Sequence, residues 1–167
     1  MKDNLVLSAI LERRSIRKYK TKHISDASIE TILEAGRWAP SGLNNQPWRF
    51  LIIKDEAVKE KLAECTESSD IILECDTAIG VFYSLQDGYN RDKDIMSIGA
   101  CIQNMLLAAK SLSIGSVWLG EILNKKKRVN EALGVEDRNE LMAVIAFGYP
   151  DEKPEATRRS LDSIMLG

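Results

Sequence analysis

The sequence predicts one domain that mixes helices with strands, on three observations. Its 167 residues make a single domain in size, large enough to bury a core without disulfides or a structural metal. Four short apolar runs, at 48–53, 77–83, 114–119 and 141–147, have the length and composition of strands, and the segments between them carry apolar residues at helical spacing. Nothing repeats internally and no linker divides the chain.

Each element follows from its own residues. Asp3 or Asn4 can cap a helix running to about Arg13, with Val6 and Ile10 on one side. Residues 16–24 carry no helical period and read as a loop or short extended piece. Ser25 and Asp26 open a second helix whose stripe is Ile29, Ile32, Leu33 and Gly36, with Pro40 as its stop. Residues 40–47 (PSGLNNQP) concentrate turn formers ahead of the strand at 48–53. Asp55 caps a third helix with Val58, Leu62 and Cys65 on one face and Lys59, Lys61 and Glu64 off it, while 68–74 is ambiguous. The run TAIGVFY at 77–83 is continuous in apolar residues and so predicts a central strand covered on both faces.

Residues 87–94 form a polar connection, and 95–112 are apolar at almost every angle, the pattern of a helix buried all round. Its small residues Gly99, Ala100 and Ala108 would permit close approach by a second copy or by the chain's own core. The strand at 114–119 ends at Gly120 and Glu121. A helix over 125–133 closes on Gly134, the position favouring left-handed backbone. The last strand, 141–147, turns at Gly148 to Pro150 into a polar tail carrying Arg158 and Arg159.

Composition excludes several function classes. Hydrophobic residues are 44%, charged residues 29%, and the formal net charge is −2, a balance that offers nothing to nucleic acid, so any anion bound by the local basic cluster should be small. The N-terminus lacks a charged region followed by an apolar core, and no apolar run reaches a membrane span; a cytoplasmic protein is expected. Cys65, Cys75 and Cys101 form no metal or disulfide pattern and read as reduced buried thiols. His23 is the only histidine and has no evident orienting group, which weakens zinc hydrolysis and Ser-His-Asp chemistry alike. No GxGxxG or GxxxxGK[ST] is present, so side chains must do most of any phosphate binding.

The chemistry-bearing residues fall in three places. Arg13, Arg14, Ser15 and Arg17 offer guanidinium forks and a hydroxyl suited to a phosphate. Arg158 and Arg159 offer a second cationic pair, and Pro40, Ser41, Gly42 and Asn44 form a small polar loop of the kind that a rigid scaffold presents to ligands. Taken singly, the basic runs also suit a solvated face, and the loop suits turn chemistry alone.

Four segments in this order, RRSIRKY at 13–19, APSGLNNQPWRF at 39–50, SIGACIQNMLLAAKSLSIGSVWLG at 97–120 and FGYPDEKPEATRRSL at 147–161, resemble the FMN-dependent nitroreductase family and span nearly the whole chain. The resemblance implies an α+β fold, an α/β/α sandwich with a mixed, largely antiparallel sheet, built as an intimate homodimer with FMN at the interface. It implies a single domain over 1–167 whose tail, 151–167, extends onto the partner subunit. By matched position Arg13 and Ser15, with Arg158 and Arg159, would hold the FMN phosphate, Arg14 would be among the cofactor-binding residues, and Arg17 would reach the N1 and O2 edge of the ring, where charge collects on reduction. Pro40, Ser41, Gly42 and Asn44 would come from the partner, and Gly120 and Glu121 would offer backbone N–H groups near N5.

The implied reaction passes a hydride from NAD(P)H through flavin N5 to an electron-poor acceptor such as a nitroaromatic or quinone, in ping-pong order and with no side-chain nucleophile. Two departures stand out. The segment 83–94 leaves little room for the insertion that covers the flavin in larger members, and the family's amide contact to the far edge of the ring has only Ser68, Ser69 or Asp70 near its place. A short lid also suits other readings: an FMN-binding dimer serving as redox sensor or flavin store, or a same-fold enone reductase or dehalogenase. Lys18, Lys20 and Lys22 read as surface charge.

Overall fold

The computed structural model describes residues 4–166. In chain order the elements are α1 (Leu5–Glu12), β1 (Tyr19–Lys20), α2 (Asp26–Arg37), β2 (Trp48–Ile53), α3 (Glu56–Ala63), α4 (Ser69–Glu74), β3 (Thr77–Ser84), α5 (Arg91–Ser111), β4 (Gly115–Leu119), α6 (Lys126–Leu133) and β5 (Asn139–Pro150). Short polar side chains start four of the helices by accepting from orphan N–H groups. Asn4 accepts from Val6 and Leu7, Ser25 from Ser28, Asp55 from Val58 and Asn90 from Lys93. Asp3, the alternative cap of α1, lies outside the described residues. Gly134 ends α6 at φ 65°, where a Cβ would be strained.

The sheet is organised on β5. Antiparallel β3 lies on one side of it with β2 beyond; on the other side β4 pairs with residues 144–148, and β1 with Tyr149 and Pro150. The ladder is antiparallel throughout, and the parallel component is one isolated bridge between Ser15 and Ser116. One face packs Ile79, Val81 and Ile145 against α2 and α5, the other packs Ala78, Phe82 and Val144 against α3, α4 and α6. This is the expected α/β/α sandwich. With both faces covered, all eight residues of β3 are buried, and its apolar run needs no alternation.

Several local expectations change. Trp38, not Pro40, caps α2. Residues 69–74 are helical, a single turn and a half too short to show a period. α5 begins four residues earlier than predicted, because Asn90 caps it and Asp92 and Asp94 suit its positive end. It is not buried all round: Ile98, Cys101, Ile102 and Met105 are buried in this chain's core, whereas Gly99, Ala100 and Ala108 are half-buried and Met96 is exposed. Lys59, assigned to the outer face of α3, is buried; its Nζ donates to the carbonyls of Cys75 at 2.8 Å and Leu73 at 3.3 Å and pairs with Glu56 at 3.0 Å. α1 buries no residue at all.

Candidate functional site

The basic motif begins where α1 stops. Ile16 turns into the core, its N–H donates to the Ser116 carbonyl at 3.0 Å, and Arg13, Arg14 and Ser15 are left half-buried at the surface. Arg14 folds back to donate to the carbonyls of Leu11 and Arg13 at 2.8 and 2.9 Å, serving as a cationic C-cap. The Arg17 N–H donates to Glu152 at 2.5 Å, tying the motif to the tail. Arg13, Arg14, Ser15, Arg17 and Arg158 thereby line one cavity of about 220 Å³, with Glu155 on its wall. A neighbouring cavity of about 530 Å³ shares Arg13 and Arg14 and continues past Ser116 to Lys110.

Burial, and then the charges of Arg158 and Arg14, push the Arg13 guanidinium below its ordinary pKa. Its guanidinium has no hydrogen-bond partner among the described residues. Converging, part-desolvated cations of this kind are what an anion with several oxygens would relieve. Arg159, named beside Arg158, does not line this cavity.

The loop at 40–47 is built elsewhere. Leu43, Asn44 and Gln46 take φ of 54°, 55° and 47°, three non-glycine residues in the left-handed region within four positions, a concentration of strain typical of ligand-holding loops. Tyr89 packs on Gly42 so closely that a Cβ there would lie 2.1 Å from its Oη and would push the ring aside. Pro40, Leu43 and Asn44 are exposed, with Ser41 and Gly42 partly so. Behind them Asn45 donates through Nδ2 to the Asp87 carbonyl at 2.9 Å and to Asp94 Oδ1 at 2.8 Å. Asp94 is fully buried and its Oδ2 also accepts from the Tyr83 hydroxyl at 3.0 Å and from the N–H groups of Tyr89 and Asn90 at 2.9 and 3.1 Å. Burial alone would raise this carboxyl; the donors from Asn45, Tyr89, Asn90 and Tyr83 outweigh it and hold the group below the ordinary carboxylate range.

The third segment is the end of β4. A Cβ at Gly120 would meet no atom of the described residues within 4 Å, so its backbone can be approached closely. The Glu121 carboxylate accepts from the Thr66 hydroxyl at 2.6 Å and the Glu67 N–H at 3.2 Å, which hold its pKa low. From Ser116 beside Ser15 to Gly120 is four residues of strand, about 13 Å at ~3.3 Å per residue. The structure thus gathers Arg13, Arg14, Ser15, Arg17 and Arg158 at one cavity and leaves Pro40, Ser41, Gly42, Asn44, Gly120, Glu121 and Arg159 outside its lining.

Sequence reasoning missed Asp94 and the side chain of Glu121; the acidic residues after Asn90 were the one signal for the first. It also left His23 without an orienting group, but His23 Nδ1 lies 2.9 Å from Asp76, at a separate cavity of about 740 Å³ floored by Tyr19 and Cys75. Lys22 is exposed, as expected of surface charge, and lies 3.9 Å over the Tyr149 ring.

The nitroreductase family profile matches residues 10–74 and 70–149. The chain belongs to the nitroreductase family. An Archaeoglobus fulgidus relative, provisionally named an NADH dehydrogenase/NAD(P)H nitroreductase, is 38% identical over 151 residues, covering 88% of this chain and 87% of its own. Among solved structures, a Desulfovibrio desulfuricans protein provisionally named a nitroreductase and crystallised with FMN superposes with TM-score 0.96 at 44% identity, covering 98% and 96% of the two chains. The NADPH:FMN oxidoreductase of Vibrio harveyi, complexed with NAD+, superposes with TM-score 0.91 at 25% identity, covering 98% of this chain and 77% of that one. No helix among the described residues is long and apolar enough to cross a membrane.

Proposed function

We propose that this nitroreductase-family chain is an FMN-dependent oxidoreductase that draws electrons from NAD(P)H and delivers them to an electron-poor acceptor such as a nitroaromatic or quinone. The observation that carries the reading is the Arg13 guanidinium, half-buried among Arg14 and Arg158 and without a hydrogen-bond partner among the described residues. That set fits a phosphate monoester: Arg13 and Arg158 supply charge, Ser15 a hydroxyl, and Arg17 stands at the rim to face the polar edge of the ring. Gly120 leaves room for a flat group against the backbone, and the N–H groups there can fix its orientation. When bound, the flavin supplies two-electron transfer between the nucleotide and the acceptor. The FMN complex and the NAD+ complex of the two structural relatives support the same assignment.

The site is completed, in this reading, by a second copy. α1 exposes Leu5, Val6 and Leu11, the tail exposes Leu161, Ile164 and Leu166, and α5 presents Gly99, Ala100 and Ala108 half-covered. Such apolar surface calls for an occupant, and a homodimer covers it, lays the tail on the partner and brings the partner's Pro40-to-Asn44 loop to the flavin. Purified protein loaded with FMN should bleach anaerobically with NADH or NADPH and recover its colour on addition of a nitroaromatic. Bound flavin inert to both nucleotides would instead indicate a sensor or store, and protein that takes up no FMN would overturn the assignment.

A further inference from the structure

We infer that Asp94 is a positioning residue for the cofactor: through Asn45 it fixes the 40–47 loop in the strained form that the flavin site needs. The inference rests on the FMN reading above.

Asp94 is a carboxylate with no exposure, a placement tolerated only when its oxygens are fully engaged. Its partners join the start of its own helix to other segments: the backbone of Tyr89 and of the α5 cap Asn90, Tyr83 at the end of β3, and Asn45. Asn45 is the loop's own contribution, and its side chain is held by its amide donors alone, since its Oδ1 is buried without a partner among the described residues. The link therefore runs through one NH2 group that bridges Asp94 and the Asp87 carbonyl. On either side of Asn45 sit the three left-handed residues Leu43, Asn44 and Gln46. Backbone of this kind persists only where surroundings over-determine it. Besides the Asn45 link, Tyr89 packed on Gly42 and the Ser41 hydroxyl accepting from Gln46 N–H at 3.0 Å hold the loop, and the first of these also hangs on Asp94 through the Tyr89 N–H.

The test compares FMN affinity with folding in three variants, using fluorescence titration with FMN itself, and far-UV circular dichroism and mass by light scattering on the FMN-free protein. Asn45→Ala cuts the link while leaving Asp94 three donors; FMN Kd should rise about tenfold or more, as loss of a hydrogen bond to a charged group predicts, with circular dichroism and mass unchanged. Asn45→Asp sets two carboxylates face to face and should weaken binding further. Adding Asp94→Asn restores a donor between positions 45 and 94 and should recover affinity in part, a rescue that a merely structural role would not give. Wild-type affinity in Asn45→Ala, or a double variant no tighter than Asn45→Asp, would overturn the inference while leaving FMN binding by the wild type intact. Wild-type protein that binds no FMN would remove the function reading itself.

Discussion

Ser15 is bridged in parallel to Ser116, with the Ile16 N–H donating to the Ser116 carbonyl at 3.0 Å. The bridge fastens a basic surface motif to β4, and β4 in turn leads to the open backbone at Gly120. One strand therefore sets the separation between a cationic cavity and the uncrowded backbone at Gly120.

Because the Arg13 guanidinium makes no hydrogen bond among the described residues, Arg13→Ala should leave the unfolding midpoint of the FMN-free protein unchanged. FMN binding should weaken by about 2 kcal/mol, the order expected for a charged hydrogen-bonded contact. A flavin titration showing unaltered affinity would remove Arg13 from the phosphate site.

Association can be separated from folding on α5. Met105 is fully buried in the chain's own core, against Gly36, so Met105→Glu should give unfolded or aggregated protein and reports nothing on a dimer. A Cβ at Gly99 would meet no atom of the described residues within 4 Å. Gly99→Leu should accordingly fold, with a melting transition at least as high at equal monomer content, yet block close helix approach and shift light scattering to monomer. Retention of the full dimer would place the interface elsewhere.

Acid stability should depend on Glu140. Its carboxylate accepts from Arg91 at 2.6 and 3.0 Å and from Lys126 at 2.6 Å; the Arg91 bonds most of all hold it at about 2, against the opposing effect of burial. A folded pKa below the unfolded one contributes stability above the ordinary carboxylate range, and that contribution is lost as pH falls toward 2. In urea titrations across this window Glu140→Gln should be less stable than wild type at neutral pH and show a flatter acid decline. Parallel acid limbs would refute the linkage.

The buried Lys59 ammonium caps the end of α4 through the Leu73 and Cys75 carbonyls. Lys59→Met keeps volume but orphans both acceptors, and should cost about 1–3 kcal/mol in chemical denaturation. No loss would mean that the ammonium's desolvation cancels its bonds.

What could be read from the sequence was local. The ends of β2, the Ser25 and Asp55 caps and Gly134 are decided by near neighbours, and those positions agree with the structure. β5 runs beyond Phe147 because Gly148 pairs with β4 and Tyr149 and Pro150 with β1, partners more than thirty and more than a hundred residues away. Lys59 lies at a surface position by periodicity and is drawn in by carbonyls of a helix too short to be recognised. At the site, the Arg13-to-Arg17 motif declared itself through residue type. Its meeting with Arg158 was available only through resemblance, and the buried Asp94 hub not at all, since in a polar connection one more carboxylate carries no mark.

The dependence of the sheet on β5 also bears on how the chain comes into being. Strands β1, β3 and β4 all await a partner that leaves the ribosome after them. Until residues 139–150 emerge, β2 and β3 can pair only with each other, and the apolar run of β3 keeps an open edge. The sheet therefore closes only after residues 139–150 have emerged, and until then β1 and β4 stand without their ladder partner.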